Sequence, residues 1–99
     1  MRAALEFTEQ AHADWKRLDF ERRDQIARVL ESMRAEFPPE NLDTKALKGH
    51  RPRLRVGSHR VIFRAMVAAE LRRFGTTRGV LVSRVVDRRD LDRATKGLR

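Results

Sequence analysis

The stretch KGHRPRLRVGSHRVIFR, residues 48–64, decides how the chain is read. With Gly57 and Ser58 as a two-residue hairpin loop, side chains alternate between two faces. Leu54, Val56, Val61 and Phe63 fall on one, and Arg53, Arg55, Arg60 and Arg64 on the other. The loop also sets the pairing: Val56 with His59, Arg55 with Arg60, Leu54 with Val61, Arg53 with Ile62. Like charges directly opposite one another destabilise a sheet, and two at about 5 Å repel by roughly 1–3 kcal/mol. A face that must hold several phosphate oxygens has a use for that crowding, because guanidinium forks bind phosphate bidentately and stay charged. The competing reading is a solvated outer face whose arginines deter edge-to-edge aggregation.

Outward from the hairpin, the chain reads as one domain over residues 1–99. AALEFT alternates as a short edge strand. Thr8 can cap a short helix over TEQAHADWKRLD, with Ala11, Trp15 and Leu18 on one stripe. Asp19 can cap a longer helix, FERRDQIARVLESMRAEF, whose apolar stripe is Ile26, Val29, Leu30, Met33 and Phe37. Pro38 and Pro39 stop it. NLDTKALKG reads as a loop or short helical turn, and AAELRRFGTTRG as a polar stretch with a turn before the strand VLVSRVV. RRDLDRATKGLR closes the chain as a helical turn or a frayed tail. The expected class is α+β: a mostly antiparallel four-stranded sheet, two N-terminal helices on one face, order β-α-α-β-β-β, and a short C-terminal helix.

Charge sharpens the functional reading. Net charge is +9, yet residues 1–44 carry −3 and residues 45–99 carry +12. Such asymmetry points to a polyanionic partner, most often nucleic acid. Arginine-favouring codon usage would explain nineteen Arg against four Lys, but not the scarcity of acids in the second half. There is no cysteine, and the three histidines have no metal-ligand spacing, so neither a disulfide framework, a metal nor another cofactor is expected. The N-terminus lacks the apolar run of a signal peptide, and nothing approaches the roughly 20 apolar residues of a membrane span. A cytoplasmic protein without a membrane partner is the expectation.

Four strings in this order resemble the RelE toxins of bacterial type II toxin–antitoxin systems, within the RelE/ParE superfamily. LEFTEQAHADWKRL is similar to that family's opening strand and first helix, LKG at 47–49 to the turn before its second strand, RLRVGSHRVIF to its central hairpin, and RVVDRRDL to its last strand and C-terminal turn. The resemblance implies a ribosome-dependent endoribonuclease, an mRNA interferase, in which the RNA's own 2′-OH attacks the adjacent phosphate without a metal. It implies a cognate antitoxin, the ribosome and mRNA as partners, and a toxin–antitoxin hetero-oligomer. Carried over by position, Arg53 and Arg55 fall on strand lysines of the family, Arg60 on the arginine that begins the next strand, and Arg89 or its neighbour Arg88 on the arginine after the last strand. Lys48, His50, Arg51, Arg64 and Arg88 would bind RNA around them.

The family's usual C-terminal tyrosine is missing, and the chain holds no tyrosine at all. Arginine is a poor general base, so histidine is the natural substitute. His59 is the catalytic candidate, with the alternative of a half-buried strand residue on the core face. His12 reads as structural. Trp15 and Phe37 fit core packing better than base stacking, and Arg72, Arg73 and Arg78 fit a solvated loop better than an RNA contact. Two other functions share the fold: a ParE-like inhibitor of DNA gyrase, and an inactive relative that only binds an antitoxin or nucleic acid.

Overall fold

The computed structural model describes residues 3–35, 44–47, 51–91 and 93. Their elements run β1 (Ala4–Phe7), α1 (Glu9–Lys16), α2 (Phe20–Ala35), β2 (Thr44–Leu47), β3 (Arg51–Val56), β4 (His59–Ala65), α3 (Ala68–Phe74) and β5 (Gly79–Asp87), followed by a 3-10 turn over Arg88–Asp90. The expected α+β class holds, and the four expected strands are all present. A fifth, β2, adds itself to the outer side of β3, so the sheet order is β1-β5-β4-β3-β2. NLDTKALKG therefore contains a strand, not only a loop or helical turn. All neighbours are antiparallel except β1 and β5.

The β3–β4 register matches the sequence expectation at each of its four pairs, Val56 with His59 through Arg53 with Ile62. Gly57 takes a φ of 60°, a left-handed conformation that costs glycine little. A Cβ there would also come within 3.1 Å of Arg22 on α2, so the turn leans on the first turn of that helix.

One face of the sheet carries the main core. Ile26, Leu30 and Met33 of α2 and Ala11 of α1 pack on Leu54, Val56, Val61, Phe63, Val80, Val82 and Val85, with Leu5, Phe7, Trp15, Leu18 and Val29 partly buried around them. Burying each of the larger aliphatic side chains contributes about 1.5–3 kcal/mol. Both expected helix caps are present. Thr8 Oγ1 accepts from Ala11 N at 3.1 Å, and the Asp19 carboxylate accepts from Arg22 N at 2.8 Å. Trp15 meets Phe7 edge to face at 5.5 Å, in agreement with a packing role. Phe37 lies outside the described residues.

β1 is too short to cover all of β5. It pairs from Gly79 to Val82 and stops at Phe7. Side chains of the next segment complete the edge: Thr8 Oγ1 donates to the Ser83 carbonyl at 2.9 Å, and the Asp14 carboxylate accepts from Val85 N at 2.9 Å. Asp14 also accepts from Arg84 Nε at 2.8 Å and Nη2 at 3.1 Å, and its residue is only 8 % exposed. A carboxylate on the apolar stripe of α1 thus substitutes for a missing strand.

The stretch AAELRRFGTTRG opens with a helix, α3, and is not only a turn. Its Glu70 accepts the Val67 N–H at 2.9 Å, closing the helix N-terminus, and takes both prongs of Arg64 at 2.8 and 3.0 Å. Those bonds, the Arg64 pair first, hold the Glu70 carboxyl down at about 2. Arg64 is raised correspondingly, chiefly through the same bond.

Two outcomes are expected. Asp14→Ala removes the acceptor of a backbone amide and an ion pair together, so unfolding in urea should show a loss of roughly 2–4 kcal/mol; Asp24→Ala, which breaks only the exposed pair with Arg28, should lose less than about 0.5 kcal/mol. Glu70 has a folded pKa below its unfolded one, so its stabilisation is complete above about pH 4.5 and disappears as pH falls toward 2. Unfolding free energies measured across that window should fall more steeply for the wild type than for Glu70→Gln.

Candidate nucleic-acid interface

The face of the sheet opposite the main core is basic, but it is not bare. Ile62 lies on it between Arg60 and Arg64, fully buried beneath Val86 of β5 and Leu91 from beyond the 3-10 turn. The C-terminal turn thus folds back over this face, a contact the sequence reading left open.

Around that small apolar patch the sheet sets the arginines in rows. Arg55, Arg60 and Val86 are successive cross-strand partners, as are Arg53, Ile62 and Arg84. Arg55 is exposed and Arg53 half-buried. Among the described residues Arg53 Nε is buried with no hydrogen-bond partner. Arg60 is the most enclosed, at 8 % exposure, and its Nη1 donates to the Gly57 carbonyl at 3.0 Å and the His59 carbonyl at 2.9 Å. The hairpin's own backbone fixes this guanidinium. Arg64 lies further along the face, held by Glu70. Arg51 pairs with Leu47 in the sheet, and Lys48 and His50 lie outside the described residues.

The 3-10 turn docks on the hairpin tip. Arg88 N donates to the Ser58 carbonyl at 2.8 Å, continuing the β4–β5 ladder by one bond. Asp87 caps the turn through Arg89 N at 2.9 Å and also accepts from Arg89 Nε at 3.1 Å. These bonds from Arg89, the backbone one first, lower the Asp87 pKa. The Arg89 side chain is otherwise solvent-exposed, at 83 %, and Arg88 is exposed beside it. Asp87 is therefore paired with an adjacent arginine.

His59 does not join Arg53, Arg55 and Arg60. Strand alternation turns it to the helix side, where it lines an open cleft of about 380 Å³ with Asp14, Arg17, Leu18, Asp87 and Arg93 among others. It is half-buried, and its Nδ1 has no hydrogen-bond partner among the described residues. Burial first, then the Arg22 and Arg60 charges, lower its pKa below 6.5 against the opposing pull of Asp87 and Asp19. Nitrogen and proton shifts of the ring, followed by NMR, should therefore give a midpoint below 6.5 that rises in Arg22→Ala and falls further in Asp87→Asn. Because the folded pKa is the lower one, His59 should cost stability as pH drops below 6.5 and nothing above it.

Among the described residues there is no group of three or more His, Asp or Glu side chains placed to hold a metal ion. No described helix is long and apolar enough to cross a membrane. Asp14, Arg84 and Leu91 were not foreseen. Asp14 had a signal, an acid at i+3 on the Ala11–Trp15–Leu18 stripe; Leu91, an apolar residue between the charges of RRD and DR, had a fainter one.

No protein-family model and no curated protein matches the chain. Solved structures do. The archaeal RelE–RelB complex from Pyrococcus horikoshii OT3 contains a chain that superposes with a TM-score of 0.65 at 18 % identity, over 89 % of this chain and 97 % of that one. The RelB–RelE antitoxin–toxin complex from Methanococcus jannaschii gives 0.63 at 21 % identity, over 88 % and 94 %. Both neighbours are archaeal, so they say nothing on the bacterial part of the expectation. At these identities the likeness is one of architecture, and the chain has the RelE fold.

Proposed function

We propose that the chain is the toxin of a toxin–antitoxin pair and cuts mRNA on the ribosome. The observation that carries this reading is the Arg55–Arg60 cross-strand pair on the outer sheet face, with Arg88 and Arg89 brought to the same end of the hairpin by the Ser58 bond. The RelE fold, seen elsewhere in complexes with RelB, supports a cognate antitoxin as partner.

In this reading the ribose 2′-oxygen attacks the adjacent phosphorus, the 5′-oxygen leaves, and the products end in a 2′,3′-cyclic phosphate and a 5′-hydroxyl. Negative charge builds on the nonbridging oxygens as the new bond forms. Guanidinium groups already in place stabilise that charge more than the ground state. Arg60, held by two carbonyls, would need no reorganisation to act. Arg53 and Arg55 would seat the strand, and Arg88 and Arg89 would close over it from the tip. Alignment of the 2′-oxygen with the leaving oxygen adds an orientational contribution. His59 stands on the other side of β4, so the arginines carry the charge stabilisation without it.

Arg60→Ala combined with Arg89→Ala should lower single-turnover cleavage of ribosome-bound mRNA by about 10²-fold or more. Arg55→Ala alone should lower it by about tenfold, mainly through weaker binding. Circular dichroism and antitoxin binding should show that the double variant is folded. Undiminished cleavage by the folded double variant would remove the site assignment. DNA breaks in gyrase assays without mRNA cleavage would transfer the fold to the ParE-like function.

A further inference from the structure

α3 and the turn after it lie beyond the far end of β4 from the hairpin tip. Ala65 lies five positions beyond Arg60, or about 17 Å along the strand. This segment is unequally charged: from Met66 to Gly79 it contains Arg72, Arg73 and Arg78 and one acid, Glu70. Glu70 is already committed to Arg64 and the Val67 amide. Arg72 and Arg73 are exposed. Phe74 is 40 % exposed, and the Arg73 guanidinium sits 5.6 Å from its ring centre.

A helix C-terminus ordinarily repels anions. Here two of its carbonyls are occupied: Gly75 N donates to Arg72 O and Thr76 N to Leu71 O, both at 3.2 Å. Gly75 makes this possible with a left-handed φ of 61°, and its missing side chain leaves open space. An open groove of about 420 Å³ follows, lined by Leu71, Arg72, Gly75, Thr76 and Thr77. Arg72 lines this groove with Thr76 and Thr77, and the exposed Arg73–Phe74 pair follows it directly on the last turn of α3.

We propose that α3 is a second docking surface for single-stranded mRNA, with phosphates on Arg72 and Arg73 and an unstacked base on Phe74. The inference rests on the RNA reading of the arginine face and adds a contact outside it. An acidic peptide would satisfy the cations but gain little from the ring. A nucleobase gains from both, since bases stack on aromatic faces and on guanidinium planes.

The test measures binding of the full chain to a labelled 12-nucleotide single-stranded RNA, to purified ribosomes and to a poly-glutamate peptide, over a range of salt. The proteins are the wild type, Arg72→Ala with Arg73→Ala, Phe74→Ala, and Arg55→Ala with Arg89→Ala. The α3 double variant should lose affinity for RNA with a salt slope shallower by about 1.4, the value for two phosphates of a single strand. Phe74→Ala should bind about tenfold more weakly with little change of slope. Loss in the oligonucleotide arm would support the inference, and loss confined to ribosomes would overturn it in favour of ribosomal RNA. RNA binding unchanged in both α3 variants but weakened in Arg55→Ala with Arg89→Ala would overturn the inference and leave the RNA reading standing. Failure of the wild type to bind either RNA would overturn both. α3 variants that lose only the peptide would overturn it in favour of an acidic protein partner.

Discussion

The two-residue turn at Gly57 and Ser58 is the constraint on which the rest depends. Because side chains alternate along a strand, the register it sets assigns each residue of β3 and β4 to the helix side or the outer side. A slip of one position would drive Arg60 toward α2 and expose Val61 and Phe63, which lie fully or almost fully buried in the main core. The apolar face therefore enforces the arrangement of the basic one. Arg55 and Arg60 face each other because Leu54 and Val61 must, and burial outweighs a repulsion of roughly 1–3 kcal/mol.

The same end of the molecule couples stability to the candidate site. β5 is covered by β1 for its first half and by Thr8 and Asp14 for its second. Asp14 also anchors Arg84, which belongs to the row of Arg53 and Ile62. From β5 the chain passes directly to Asp87 and Arg88, whose bonds to Arg89 and Ser58 place the 3-10 turn on the hairpin tip. Packing of α1 and the position of Arg88 and Arg89 are thus linked through one strand.

Legibility in the sequence followed the range of the interactions. The hairpin register, the Thr8 and Asp19 caps and the α2 stripe from Ile26 to Met33 rest on neighbours within a few residues, and each is found as expected. β2 has no alternating apolar pattern in TKAL and becomes a strand by pairing with β3. α3 has seven residues, too few to display a helical period, and its start is fixed by Glu70 reaching back to Val67 and across to Arg64. Contacts across 70 residues, such as Arg84 with Asp14, leave only an odd acid in an apolar stripe as their trace. For the site, the composition of the basic face was legible, whereas the enclosure of Arg60 and the turning of His59 to the other side needed the packed sheet.

In the proposed reaction the outer arginines promote attack by the RNA's own 2′-oxygen. The most direct measurement is the chemistry of the ends produced when a programmed mRNA is incubated with the protein, with and without ribosomes. That reaction makes cuts only on ribosomes, at a fixed place in the codon, leaving a 2′,3′-cyclic phosphate upstream and a 5′-hydroxyl downstream. Intact mRNA, or fragments bearing a 3′-hydroxyl and a 5′-phosphate, would contradict it.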